Sequence, residues 1–124
     1  PPALLRAIAA IERTLDRDLD VAALAADAGV SAGHLGSLFR AHLGRSPKRH
    51  HAALRLERAR IRLANPYTTV SAVAQELGFA DLNWFVRRFR AEFGAPPGRW
   101  RRTSVNPQRR RATRPIPGRR PAPG

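Results

Sequence analysis

Apolar residues recur along the first hundred positions with the spacing of helices. Between residues 3 and 15 they stand at Leu4, Leu5, Ile8, Ile11 and Leu15, on one face of a helix. No stretch alternates with period two over a useful length, so no strand is predicted. The pattern predicts helices over residues 3–15, 21–28, 32–43, 47–64, 70–77 and 81–93, with a short seventh over 97–100.

Residues suited to helix ends stand at these boundaries. Asp20 and Ser31 can accept hydrogen bonds from backbone N–H groups as N-caps. Gly29 can adopt the left-handed conformation that closes the second helix. Pro47 suits the first turn of the fourth helix, and Asn65-Pro66 ends it. That helix is about 27 Å long at 1.5 Å per residue.

One block of sequence occurs twice, at residues 21–49 and 70–99, with an offset of 49 that becomes 50 after one insertion. The matched pairs are Val21/Val70, Ala23/Ala72, Ala25/Ala74, Gly29/Gly78, Phe39/Phe89, Arg40/Arg90, Ala41/Ala91, Gly44/Gly94, Pro47/Pro97 and Arg49/Arg99. Identities at constant register indicate one supersecondary unit used twice.

The repeated unit is a short helix, a turn that contains glycine, and a longer helix, which is the pattern of a helix-turn-helix. Ala25 and Ala74 stand four residues before the turn glycine, where the two helices must approach closely. The apolar contacts between the helices are expected from Leu24, Val30 and Leu35, and from Val73, Phe79 and Phe85. A bundle of short helices that happens to turn at glycine is the alternative, but two copies in register favour the helix-turn-helix.

The formal net charge of +14 indicates a polyanionic partner, either nucleic acid or an anionic membrane surface. Residues 101–124 contain eight Arg, five Pro and no acid, so they carry +8 and leave +6 for the rest. We predict that residues 102–124 are disordered, because they contain few large apolar residues. This tail either adds DNA affinity through counterion release or reflects a GC-rich genome. A membrane fits less well, since no apolar run approaches about twenty residues.

The second helix of the second unit is the better candidate for reading DNA. Phe85, Phe89 and Phe93 are four residues apart and predict its inward face. The side chains expected to point elsewhere are Asn83, Val86, Arg87 and Arg90. Asn pairs with adenine and Arg with guanine, so Asn83 and Arg87, with Val86 beside them, are predicted to read bases. A merely solvated polar face is the alternative.

The equivalent helix of the first unit offers less to a base. Its predicted outward positions are Gly33, Gly36 and Ser37, and His34 is the only long polar side chain there. His34 and Ser37 are therefore weaker candidates for base reading. Residues predicted to contact phosphates, or else to be plain surface charge or caps, are Ser31, Arg40, Lys48, Arg49, Arg88 and Arg90.

Residues 55–97 closely resemble the AraC/XylS family of bacterial transcriptional regulators. The matching residues are Arg55, Leu56, Ala59, Leu63, Val70, Val73, Ala74, Gly78, Phe79, Phe85, Phe89, Gly94 and Pro97, followed by Trp100 and Arg101. The resemblance implies an all-α domain over residues 3–101, with a first helix-turn-helix unit (3–44), a linker helix (47–64) and a second unit (70–101).

By the same resemblance, one monomer places two recognition helices in successive major grooves of double-stranded DNA. It also implies RNA polymerase as a partner, an upstream effector-binding or dimerisation domain, and a place in the bacterial cytoplasm, at the nucleoid. The run from residue 46 to 60 looks most like members whose upstream domain is similar to the DJ-1/PfpI fold. The chain opens Pro-Pro without a Met, so we expect it to be a piece of a longer protein.

Other functions have less support in the sequence. An enzyme, a metal site or a cofactor is not expected, because there is no Cys, no phosphate-binding glycine loop and no ligand spacing among His34, His42, His50 and His51. A non-specific nucleic-acid binder that contacts only phosphates remains open. A domain that mainly contacts RNA polymerase, through acids such as Glu57 or Glu92, is a third reading.

Overall fold

The computed structural model describes residues 1–104 and contains seven α-helices. They are α1 (Pro2–Glu12), α2 (Val21–Ala28), α3 (Ala32–Leu43), α4 (Pro47–Arg62), α5 (Val70–Glu76), α6 (Leu82–Phe93) and α7 (Pro97–Ser104). No strand occurs in the described part of the chain, so the all-α prediction is confirmed. Most of the tail predicted to be disordered, residues 105–124, lies outside the described residues.

The caps predicted for the first repeat are present, and the turn glycines of both repeats have the expected conformation. The side chain of Ser31 accepts a hydrogen bond from the backbone of His34 at 3.0 Å, and Asp20 accepts one from Ala23 at 3.1 Å. The turn glycines Gly29 and Gly78 have φ of 79° and 77°. Such left-handed backbone is what a glycine at a helix end supplies.

Four predicted C-terminal ends are displaced, that of α5 by a single residue, to Glu76. α1 ends at Glu12 rather than residue 15, since the hydroxyl of Thr14 donates to the carbonyl of Ala10 at 3.1 Å and competes with the helix. α4 ends at Arg62, with Leu63 as its C-cap. α7 runs on to Ser104, four residues beyond the predicted end at residue 100. The side chain of Arg101 ties α7 to the carbonyl of Asn65, before the second unit, at 2.6 Å.

Each repeat has its own hydrophobic core. The first core contains Leu4, Ala7, Ile11, Leu15, Leu24, Ala25, Leu35 and Phe39. The second contains Leu56, Ala59, Leu63, Val73, Ala74, Leu77, Phe79, Phe85 and Phe89. Helix α4 serves both, because Leu54 packs against the first core and Leu56 belongs to the second.

The turns of the two repeats match closely. Ala25 and Ala74 are each 2% exposed, as expected for the point where the two helices approach. Their carbonyls accept from the backbones of Val30 and Phe79 at 3.0 and 2.9 Å. The helix-turn-helix geometry predicted from the repeat is therefore present twice, with α3 and α6 as the second helices.

Candidate nucleic-acid interface

Helix α6 has a polar face on the side opposite its own aromatic side chains. Phe85 and Phe89 are fully buried, with ring centroids 5.8 Å apart, and the ring of half-buried Phe93 lies 4.6 Å from that of Phe89, tilted by 57°. Asn83 and Arg87, one turn apart on the helix, are exposed. The inward face predicted from the phenylalanine spacing is thus confirmed, and the two polar side chains face solvent.

The remaining outward residues of α6 differ from one another. Arg90 is exposed, whereas Val86 is half-buried and packs against the second core. Arg88 is half-buried and faces the linker helix. Trp84, which the sequence analysis did not single out, is 39% exposed on the first turn of α6. Its place in the first turn, three residues after the N-cap Asp81 and off the spacing of the buried phenylalanines, was the signal that could have identified it.

Helix α3 has fewer long polar side chains on its exposed surface than α6. His34 and Ser37 are exposed, but the hydroxyl of Ser37 donates to the carbonyl of Gly33 at 3.2 Å. Gly36, predicted to face outward, is buried. The cause is Arg40, one turn later, whose guanidinium lies 3.0 Å from the position that a Cβ on Gly36 would take. The absence of a side chain at Gly36 leaves room for the end of the Arg40 side chain.

The N-terminus of α4 lies between α3 and α6. Ser46 caps it by accepting from the backbone of Arg49 at 3.2 Å, and Pro47 occupies the first turn. Lys48 and Arg49 are exposed there. Free N–H groups and the helix dipole make such a terminus favourable for phosphate oxygens.

Two grooves join these elements. The first, about 590 Å³, is lined by Arg40 of α3, Arg49 of α4, and Arg88 and Glu92 of α6. The second, about 450 Å³, is lined by Lys48, Arg49 and Arg88, and it also contains Trp84. Four of the residues predicted to contact phosphates therefore meet between the two second helices.

The other two predicted phosphate contacts lie apart from these grooves. Ser31 is exposed at the start of α3, where its hydroxyl already serves as the N-cap, and Arg90 is exposed on α6. Among the described residues, the ion pairs are Arg17–Asp16, Arg55–Asp18, Arg60–Glu57 and Arg62–Glu76. Arg40, Arg49 and Arg88 do not occur in these pairs, whereas Arg55, which also lines the second groove, is paired with Asp18.

The two adjacent histidines of α4 point to different partners. Arg45 donates to Nδ1 of His50 at 3.2 Å, and burial together with this cation lowers the pKa of His50. His51 contacts the carbonyl of Thr14 through Nε2 at 2.9 Å, and burial lowers the pKa of His51 also. Both rings are therefore neutral near pH 7 and add no charge to the grooves.

Among residues 1–104, no three His, Asp or Glu side chains are grouped so that they could hold a metal ion. In the same part of the chain, none of the helices combines the length and the apolar character needed to cross a membrane.

Known proteins resemble this chain in sequence. A family model described as a helix-turn-helix domain matches residues 24–103. The HTH-type transcriptional regulator GlxA of Rhizobium meliloti (strain 1021) is 36% identical over 103 residues, which are 83% of this chain and 32% of GlxA. The HTH-type transcriptional regulator GbdR of Pseudomonas aeruginosa (strain UCBPP-PA14) is 35% identical, over 77% of this chain and 26% of GbdR. The chain thus spans about a third or less of these curated relatives.

Solved structures agree with these relatives. A transcriptional regulator with an AraC-type DNA-binding domain from Chromobacterium violaceum matches with a TM-score of 0.76 and 29% identity, over 87% of this chain and 92% of that one. The DNA-binding domain of the global transcriptional factor AdpA, solved with a target DNA, matches with a TM-score of 0.72 and 28% identity, over 81% and 89%. The chain belongs to the AraC/XylS type of the helix-turn-helix family and is the DNA-binding domain of a transcriptional regulator.

Proposed function

We propose that this domain binds one bipartite site in double-stranded DNA, with α3 and α6 in successive major grooves and the N-terminus of α4 against the phosphates between them. The observation that carries the proposal is the meeting of Arg40, Arg49 and Arg88, from three different helices, in one groove. A basic groove between two recognition helices suits the backbone that connects two major grooves.

Base reading is assigned mainly to α6. Asn83 and Arg87 are exposed on its outer face and can each form paired hydrogen bonds with a base. Trp84 and the outer part of Val86 are suited to apolar contact with a thymine methyl group. On α3, His34 and Ser37 are assigned a smaller part, because the hydroxyl of Ser37 is already bonded to its own helix.

Phosphate contact is assigned to Arg40, Lys48, Arg49 and Arg88, with Ser31 and Arg90 at the outer edges. Charges of this kind hold the protein in register on the duplex but do not read sequence. Each one that contacts a phosphate is expected to contribute about 0.9 to the slope of log affinity against log salt.

Non-specific nucleic-acid binding is the second candidate function. It is favoured by Gly33 and the short side chain of Ser37 on the outer face of α3, which give that helix few groups able to read a base. In this case the arginines of the grooves would bind any duplex with similar, salt-sensitive affinity.

Further partners are proposed for the whole regulator. Glu92 lines the basic groove that is assigned to DNA. Glu57 lies on α4 outside this groove, where it pairs with Arg60, so it is the better placed of the two to contact RNA polymerase. Because the relatives are about two and a half to three times as long as this chain, an effector-binding or dimerisation part, upstream as the resemblance implies, is proposed to accompany it. Its place of action is the bacterial nucleoid.

Selection of binding sites from randomised duplexes with the 124-residue chain tests the proposal. We expect a bipartite motif with its halves about one helical turn, or 34 Å, apart. Arg87→Ala should relax the preference at a single base pair, by about 1 to 3 kcal/mol. Arg58→Ala, which removes an exposed arginine outside both grooves, is the matched control and should leave the motif unchanged. Equal binding to every duplex would favour the non-specific function instead.

A further inference from the structure

Arg55 of α4 is a buried cation that bonds both units at once. Only 4% of it is exposed. Its Nε donates to the carbonyl of Leu15, in the connection between α1 and α2, at 3.2 Å, and to the carbonyl of Leu77, at the end of α5, also at 3.2 Å. Nη1 donates to the carboxylate of Asp18 in the same connection at 3.3 Å, and Nη2 donates to Leu77.

The surroundings of Arg55 compensate for the burial of its charge. The carbonyl of Leu77 lies at a helix C-terminus, where backbone acceptors lack partners and the helix dipole is negative. The ring of Phe79 lies 4.1 Å from the guanidinium carbon, in cation–π range. Lysine could not reproduce this arrangement, because only the planar guanidinium presents several N–H groups in fixed directions.

The second unit also packs against the α1–α2 connection directly. A Cβ on Gly78 would lie 2.1 Å from the carbonyl oxygen of Asp16, so the turn of the second unit contacts the connection without any intervening side chain. Gly29, the equivalent glycine of the first unit, has no such neighbour within 4 Å. His51 adds a further bond from α4 to Thr14 in this connection. We call this set of contacts the inter-unit joint.

We propose that Arg55 is a positioning residue for DNA recognition: through the inter-unit joint it fixes the orientation of α3 relative to α6, and so the half-site spacing that the domain accepts. The inference rests on the proposed bipartite binding. Moving one half-site by one base pair shifts it by about 3.4 Å along the axis and turns it by about 34°. A rigid joint cannot follow this movement, so affinity should fall on the order of tenfold or more.

The joint can be tested without DNA. The chain has no cysteine, so Ala26→Cys and Gln75→Cys, at equivalent exposed positions of α2 and α5, can carry a spin label on each unit. We expect a narrow distance distribution in the labelled parent and a broader one after Arg55→Lys. Arg58→Lys, an exposed position on the same helix, is the matched control and should keep the distribution narrow. An unchanged distribution in Arg55→Lys would overturn the proposal.

The consequence for DNA is tested with the selected site and versions of it that are one base pair longer or shorter. For Arg55→Lys we expect weaker binding at the selected spacing and a spacing penalty reduced to within about threefold, whereas the parent loses about tenfold or more. A residue that only stabilises the fold would weaken binding equally at all spacings. That result, or loss of helical circular dichroism in Arg55→Lys, would refute a positioning role. If the parent selects no bipartite site, the proposed function fails, while the spin-label distances still judge the joint.

Discussion

His51 is a buried imidazole that makes the stability of the fold depend on pH. Burial and the nearby Arg55 guanidinium lower the pKa of His51, and its bond to Thr14 opposes this only in part. In the unfolded chain the pKa returns to about 6.5, so the unfolded state binds more protons at mildly acidic pH. The contribution of neutral His51 to the free energy of unfolding is therefore fully present above about pH 6.5. It is lost as the pH falls from there through the folded pKa.

We expect His51→Gln, which retains an N–H donor for Thr14, to flatten this pH dependence. Urea unfolding between about pH 7.5 and 5.5, above the range in which carboxylates titrate, measures it. His50, whose pKa is also lowered, should retain part of the slope, so the double variant should be flatter still. His42→Gln, at an exposed position on α3, is the control. A slope that is as steep in His51→Gln as in the parent would contradict the assignment.

The two turn glycines should differ in their tolerance of alanine. Both have positive φ, so alanine costs about 1 to 2 kcal/mol at either position. At Gly78 the added methyl group also collides with the backbone of Asp16, which should add about 1 to 3 kcal/mol. We therefore expect Gly78→Ala to lower the free energy of unfolding in urea distinctly more than Gly29→Ala. Equal losses would mean that the contact with Asp16 yields easily.

Single residues mark the limits of prediction from this sequence. Phe85 and Phe89 were predictable because their spacing alone defines an inner face. Gly36 was not, because it is covered by Arg40 of its own helix and not by a neighbouring element. Arg55 was noted only as part of a family pattern. Its place four residues before buried Ala59 was the available signal, but its acceptors are backbone carbonyls from distant segments.

At the scale of the element, α3 and α6 are equivalent helices of the two units but differ in the side chains that they expose. Gly36 lies inside α3, where glycine is about 0.5 to 1 kcal/mol less favourable than alanine. We expect Gly36→Ala to raise the free energy of unfolding by about this amount, because only the flexible end of Arg40 must move. Thermal unfolding measures the gain, and a loss of stability would show that Arg40 is held firmly.

The same variant separates two roles for the glycines of α3. If Gly36→Ala leaves the DNA affinity unchanged, binding does not require a glycine at this position of α3. If the variant is more stable but binds DNA more weakly, the backbone of α3 approaches the DNA closely. Gly33→Ala, at the start of α3 where a Cβ meets open space, is the companion variant.

Element boundaries followed from capping chemistry wherever a cap was distinctive. Asp20, Ser31 and Gly29 defined their ends because each has a specific backbone partner or conformation. The ends of α1 and α7 were misplaced because tertiary contacts are made there: the carbonyl of Thr14 contacts His51 of α4, and Arg101 bonds to Asn65 across the second unit. Periodicity in the sequence carries no information about such bonds.

For the whole molecule, the salt dependence of binding reports how much of the charge meets DNA. Removing residues 105–124 removes six arginines. If the tail makes no phosphate contact, the slope of log affinity against log salt should be the same for the full chain and for residues 1–104. Arg49→Ala is the positive control and should lower the slope by about 0.9. If the truncation lowers the slope by several times about 0.9, we would infer that the tail contacts DNA phosphates.

Helix α4 belongs to both hydrophobic cores, through Leu54 on one side and Leu56 on the other. The two units therefore cannot melt as independent bodies, since loosening the first core frays the N-terminal half of the helix on which the second core is built. Because the two units unfold cooperatively, the stability of the second unit depends on the first, whether or not the first unit reads bases. A cavity at Ile11, remote from any recognition side chain, would thus weaken recognition by α6.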